Sequence, residues 1–231
     1  MLVLDLFSGT QSLKDVCDKL GYEYLSLDID AETNPSICSD IMDWDYKNST
    51  IKPDIIWSSP ECKWYSKLTS SNKKYTLDDI ENGMGEGDKL VLRVFDIIKF
   101  FNPLKWYMEN PFTGRLKTRD IMKDRKFYRT DYCCWGMSYK KPTAIWTNVL
   151  WTDDRKCNPR KCPMVIIDYD RPNTSQNLGF YYNHISNLGG VKTKLTKPNS
   201  TLGNEKQKLL RYVIPYELLY SLITAEINYA L

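Results

Sequence analysis

The chain has 231 residues, 42% hydrophobic and 26% charged, enough for one α/β domain with a small appended region. A net charge of +3 selects no partner by itself, and seven scattered cysteines with no signal peptide before them exclude a secreted disulfide scaffold and indicate reduced thiols in a reducing compartment. The N-terminal run "MLVLDLFSG" is too short for a leader or a membrane span, so a non-secreted protein with no membrane partner is expected.

In chain order, "LVLDLFSG" reads as a buried strand ending in a turn, and "TQSLKDVCDKLG" as the helix that follows, stopped by Gly21. "YEYLSLDID" is a second strand. "SICSDIMDWDY" follows, then "KPDIIWSSP" as the fourth strand. "DDIENGMGEGDKLVLRVFDIIKFF" is expected to begin as a flexible loop around Gly83, Gly85 and Gly87 and to continue as a helix to about Phe101. "LKWYMENP" is a fifth strand ending at Pro111; "YRTDYCCWG" and "TAIWTNVLW" are two more, and a last helix starts near Pro215. Strand and helix alternate through residue 111, which predicts an α/β, doubly wound, mostly parallel sheet with helices on both faces and a ligand at the carboxyl ends of its strands.

Residues 151–201 break the pattern with four prolines, a Gly189-Gly190 pair and eight Lys/Arg against four Asp. Three parts are expected: 1–150 as the main domain, 151–201 as an irregular or short-stranded insertion, and 202–231 as a segment returning to the main domain. Cys157-x4-Cys162 with His184, the single histidine, lacks a fourth ligand, and no metal is expected.

The chemistry-bearing residues gather at the predicted strand ends. Ser8 and Gly9 form a turn that lets backbone approach a ligand, with Gln11 where a second glycine would stand. Asp28 ends the second strand and can accept from two ribose hydroxyls. Ile29 can pack on an adenine and Asp40 can accept from its amino group. Together they point to an adenosine-bearing cofactor. Cys62 follows the fourth strand and Glu109 ends the fifth, so a thiol and a carboxyl are expected on adjacent strand tips, suited to attack on an electron-poor ring with proton donation.

These segments resemble the DNA cytosine-5 methyltransferases, in the compact form that phages and large DNA viruses carry. "DLFSGTQS" is similar to the first cofactor motif, "SLDID" to the ribose motif and "SDI" to the adenine motif. "SPECKWYS" resembles the nucleophile motif and "MENP" the Glu-Asn motif. "YKKPTAIWTN" lies where the family has a basic motif, and "RYVIPYELL" resembles the closing one. The likeness covers residues 1 to about 150 and about 205 to 231.

The resemblance implies a Rossmann-like S-adenosylmethionine-dependent methyltransferase fold. It implies S-adenosyl-L-methionine as cofactor, with S-adenosyl-L-homocysteine as product, held by Phe7, Ser8, Gly9, Thr10, Gln11, Ser12, Asp28, Ile29, Asp40, Ile41 and Pro60. It also implies catalysis on a flipped-out cytosine by Cys62, Glu109 and Lys141, and contacts to double-stranded DNA from Ser66, Lys140, Arg155, Arg160 and Lys161, with 151–201 as the target-recognition region. The expected setting is a monomer, working in the cytoplasm or wherever viral, phage or host DNA is replicated, with a cognate restriction endonuclease acting separately. The Gly83 to Gly87 stretch would close over the base. Glu61 stands where the family has proline and is expected to raise the Cys62 pKa. Two other readings remain open: an amino-group DNA methyltransferase acting on adenine N6 or cytosine N4, and a non-catalytic relative that binds DNA. An RNA cytosine is a smaller variant of the first.

Overall fold

The computed structural model describes residues 1–168, 181–184 and 212–226. Its centre is a seven-stranded sheet built from β1 (Leu2–Leu6), β2 (Glu23–Asp28), β3 (Ile37–Cys38), β4 (Ile55–Ser58), β5 (Lys105–Pro111), β6 (Phe127–Asp131) and β7 (Pro142–Thr147). The spatial order is β3-β2-β1-β4-β5-β7-β6. The first five are parallel, and β7 runs antiparallel to both β5 and β6. The doubly wound, mostly parallel sheet is therefore present.

Alternation along the strands divides the core. Val3, Ile55, Trp57 and Tyr107 pack with Leu13 and Val16 near helix α1 (Lys14–Leu20) and with Leu218, Leu219 and Leu222 of the C-terminal helix. Leu4, Leu6, Ile56 and Met108 face the other way, onto Ile80, Met84, Val91 and Val94. Both faces are covered, which is why β1 and β4 read as continuous apolar runs.

Between β4 and β5 lie a short helix, α2 (Lys67–Ser70), and a long one, α3 (Leu77–Phe101). The flexible loop expected around Gly83, Gly85 and Gly87 is instead helix. Thr76 caps it through a reciprocal box with Asp79, and Asp78 and Asp79 sit in its positive first turn. Gly83 and Gly87 serve close approach. A β-carbon at Gly83 would lie 2.1 Å from the Trp64 ring, and one at Gly87 would lie 2.8 Å from the Tyr65 hydroxyl oxygen. The segment after Cys62 is thus seated on α3.

The strand expected over "YRTDYCCWG" stops at Asp131. Residues Tyr132–Trp135 form a 3-10 turn ended by Gly136 at φ 89°. The last helix, α4 (Tyr216–Thr224), begins where Pro215 predicts it. β5 holds its far end: Lys105 Nζ donates to the Ile223 and Ala225 carbonyls, and the Tyr107 hydroxyl donates to the Leu222 carbonyl. Within 151–201, β8 (Val165–Asp168) and β9 (Tyr181–His184) pair antiparallel as a separate two-stranded sheet. The remainder of that expected recognition region, 169–180 and 185–201, lies outside the described residues. Among the described residues no helix is long and apolar enough to cross a membrane.

Candidate active site

The register brings the carboxyl ends of β1, β2, β4 and β5 to one edge: Leu6 pairs with both Leu27 and Ser58, and Ser58 with Met108. β5 continues past β4, so Glu109 and Asn110 are held by β7 through Ile145 and Ala144. β6 is parallel to β5, because both oppose β7, so its end at Asp131 reaches the same edge.

The Cys62 loop leaves β4 and is tied to β5 by one buried bond. Asn110 Nδ2 donates to the Pro60 carbonyl at 3.0 Å. Glu109, only 5% exposed, accepts from the Tyr132 hydroxyl at 3.1 Å and lies 3.4 Å from Lys141 Nζ. That ammonium also sits over the Tyr132 ring, 4.7 Å from its centroid. Carboxyl and ammonium therefore meet, and the Cys62 thiol is near enough to feel both charges.

Burial pushes the half-buried Cys62 thiol above its ordinary pKa, and the Glu109 charge adds to this. Lys141 pulls the other way, and so does a backbone hydrogen bond. Glu61 contributes least, and it is exposed. The residue that most opposes thiolate, burial aside, is thus Glu109 rather than the neighbour in sequence. The two lysines of the basic segment separate: Lys141 faces Glu109, whereas Lys140 Nζ lies 3.9 Å from Asp131.

At the β1–β2 end the backbone does most of the shaping. Phe7, Gly9 and Gln11 take φ values of 60°, 43° and 51°, and two of these three are not glycine. Left-handed non-glycine residues concentrate at ligand-gripping turns. Gln11 holds a conformation in which glycine is at ease, and its amide donates to the Thr33 and Asn34 carbonyls at 2.6 and 3.1 Å. Asp28 accepts from the Gly9 N–H at 2.7 Å and from the Asp30 N–H at 2.9 Å. Thr10 and Ser12 hydroxyls are 2.8 Å apart, and Ser12 accepts from the Ile214 N–H, which brings the closing segment to this turn. The Ser8 hydroxyl is buried without a hydrogen-bond partner among the described residues. An orphaned hydroxyl beside a turn of left-handed residues fits a bound polar ligand such as the adenosine cofactor.

Ile29 is 68% exposed at the tip of β2, where a flat ring could cover it. Asp40 accepts from the Met42 N–H. Ile41 has its side chain in the core, so only its main chain is available to a ligand.

The expected DNA contacts divide as well. Ser66 is half-buried and its carbonyl caps the turn into α2. Arg160 and Lys161 are exposed on a turn around Asn158. Arg155 is already engaged: it makes a two-pronged pair with Asp153, both bonds 2.8 Å, and lies over Trp135. Tyr132 and Asn110, which hold Glu109 and the Cys62 loop, and the buried Asp5 of β1 were not among the expected site residues. Asn110 lay inside the quoted "MENP". Asp5 was a charge in an otherwise apolar strand, and it is 3% exposed with its carboxyl pushed up to about 7 by burial. Tyr132 gave no signal, because its turn read as strand.

No protein-family model matches the chain. A protein of Frog virus 3 (isolate Goorha) described as "Probable DNA (cytosine-5)-methyltransferase" is 34% identical over 178 residues, spanning 71% of this chain and 78% of the relative. Among solved structures, the Entamoeba histolytica methyltransferase EhMeth matches at 16% identity and TM-score 0.49, covering 64% of this chain and 52% of that one. The S. pombe Dnmt2 methyltransferase matches at 12% and 0.43, covering 64% and 48%. The chain spans about half the length of these solved structures. Given the identity and coverage of the viral relative, and a sheet with the Rossmann-like order expected of such enzymes, the chain belongs to the DNA (cytosine-5)-methyltransferase family.

Proposed function

We propose that the protein methylates C5 of cytosine in double-stranded DNA, with Cys62 as nucleophile and Glu109 acting at N3. The convergence of Glu109 and Lys141 on the Cys62 thiol carries this reading. Cytosine C5 is a poor nucleophile until a group adds at C6. The Cys62 thiolate forms a bond to C6, and Glu109 delivers a proton to N3, which leaves an enamine with its electron density at C5. S-adenosyl-L-methionine, when bound, supplies the electrophilic methyl group and leaves as S-adenosyl-L-homocysteine. Loss of the C5 proton to a base then breaks the C6–S bond and restores Cys62, and the N3 proton returns to Glu109.

Lys141 favours the thiolate, and the Asn110–Pro60 bond holds the loop that carries it. Tyr132 orients the Glu109 carboxyl. Phe7 to Ser12 would cradle the cofactor with main-chain groups, Asp28 facing the ribose and Asp40 the adenine. Lys140, Arg160, Lys161 and Ser66 would meet the DNA backbone. Arg155 would brace the recognition segment instead, since Asp153 and Trp135 already hold it. A duplex base is out of reach, so the target must leave the stack at a cost of roughly a few kcal/mol.

The test is a duplex carrying 5-fluorocytosine, incubated with radiolabelled S-adenosylmethionine. Fluorine cannot leave as the proton does, so a covalent protein–DNA adduct accumulates, and Cys62→Ala abolishes it. Labelled DNA without adduct, insensitive to Cys62→Ala, would show an amino-group methyltransferase. Binding with neither label nor adduct would show a non-catalytic relative.

A further inference from the structure

At the end of β6, on the active-site edge, three cysteines from distant stretches meet. The thiol sulfurs of Cys133, Cys157 and Cys162 all lie within 4.8 Å of one another. Cys133 is buried in the 3-10 turn after β6, and the other two are half-buried. We propose that these three thiols are ligands of a structural zinc ion that fastens the start of the recognition segment to the catalytic sheet.

Three observations carry it. First, the spacing is right: a tetrahedral zinc with Zn–S bonds of about 2.3 Å sets its sulfurs roughly 3.8 Å apart, so small side-chain adjustments close the set. Second, the backbone already holds the ligands in place. The Asp131 N–H and the Thr130 hydroxyl both donate to the Arg155 carbonyl, and the Cys157 N–H donates to Asp131 Oδ2 at 2.8 Å. Between the second and third cysteines, Asn158 folds a tight turn by accepting from the Arg160 and Lys161 N–H groups. Ligands on a preformed knuckle lose little freedom on binding. Third, the turn between the two later cysteines carries Arg160 and Lys161, which offset thiolate charge in excess of the metal's, while Lys140, Arg155 and Lys156 are paired with Asp131, Asp153 and Asp154. Soft thiolates in this number select zinc over the hard cations.

The fourth position falls to a water. The sequence spacing alone offered only Cys157, Cys162 and His184; the fold adds Cys133. The inference is independent of the methyltransferase reading.

The experiment is metal analysis of the full chain, produced with zinc in the medium and purified under reducing conditions. Zinc is expected at about one per chain. Cys157→Ser and Cys162→Ser should each lower retained zinc at least about tenfold, because each removes one of few ligands. Cys38→Ser, an exposed cysteine outside the cluster, should leave it unchanged. Since Cys133→Ser disturbs the core and could unfold the protein, the two turn variants carry the test. Cobalt(II) added to metal-stripped protein should give a thiolate-to-cobalt charge-transfer band that Cys162→Ser lacks. Absence of both zinc and the cobalt band in reduced protein would overturn the proposal. So would zinc that persists in both turn variants, or a disulfide between any two of the three cysteines in the reduced preparation.

Discussion

The two halves of the active edge are built differently. Around Cys62 the geometry is held by side chains: Asn110 on the Pro60 carbonyl, Tyr132 and Lys141 on Glu109, Trp64 and Tyr65 seated on glycines of α3. Around Gly9 it is held mainly by backbone: left-handed residues, and N–H groups closing onto Asp28. A backbone-built site tolerates unusual residues so long as the turn survives, which is how Gln11 can stand where glycine is at ease. A site built from side chains allows few exchanges. The β4–β5 half should therefore be the more fragile to single substitutions.

Asn110→Ala offers the largest effect. It leaves the Pro60 carbonyl buried without its donor, a penalty of about 1–3 kcal/mol. If the loss falls on the placement of Cys62, kcat should drop about ten- to hundredfold, with KM for the cofactor nearly constant, in steady-state methylation assays. Gly83→Ala comes next. Alanine favours a helix over glycine by about 1 kcal/mol, so α3 itself should be firmer. The new methyl group meets the Trp64 ring, however, and must displace it. A fall of about tenfold in single-turnover rate, with an unchanged or raised melting temperature, is expected; Trp64→Ala in the same chain should restore part of the rate.

Asp5, buried in β1 with the Tyr24 hydroxyl donating to it, gives a stability effect instead of a kinetic one. Its folded pKa of about 7 exceeds the ordinary 3.8, so the folded state holds its proton longer than the unfolded state. The stability from that proton is complete below about pH 4, falls as pH rises towards 7, and is level above it. Asp5→Asn should remove this slope, raising stability at pH 8 relative to the parent, as urea titrations across that range will show. Gln11→Gly keeps the left-handed turn and loses the bonds to the Thr33 and Asn34 carbonyls. A rise of roughly two- to fivefold in cofactor KM is expected, in line with the loss of partly exposed hydrogen bonds. If it costs more than Asn110→Ala, the contrast between the two halves is wrong.

Glu61→Pro should have the smallest effect. The carboxyl is exposed and weakest among the influences on Cys62. The pH dependence of Cys62 alkylation should shift little, and its rate should still be climbing above pH 9, because burial and Glu109 hold the thiol up.

The sheet, its edge and the placing of Cys62 and Glu109 on neighbouring strand ends were legible in the sequence because each strand kept an apolar run ending in a polar turn. What escaped was what depends on distant partners. Gly83 and Gly87 looked like a hinge, since nothing local reveals that Trp64 and Tyr65 need the space their missing side chains leave. Glu61 looked dominant because it is Cys62's neighbour in sequence, while Glu109 reaches the thiol across the strand pair. Lys140 and Lys141 were told apart only by the resemblance, and no local pattern reveals that one lies against Asp131 and the other against Glu109. Cys133 joined Cys157 and Cys162 only through the strap along β6.

The bond from the Ile214 N–H to the Ser12 hydroxyl spans 202 positions. Contacts of such sequence separation close late and slowly, because the chain must surrender the entropy of a long loop first. The turn after β1 is thus finished only by a segment 202 positions further along the chain. A nascent chain carries the strand that begins the cofactor cradle long before it carries the residue that completes it. If this turn holds the cofactor as proposed, binding needs the closing segment in place as well as β1.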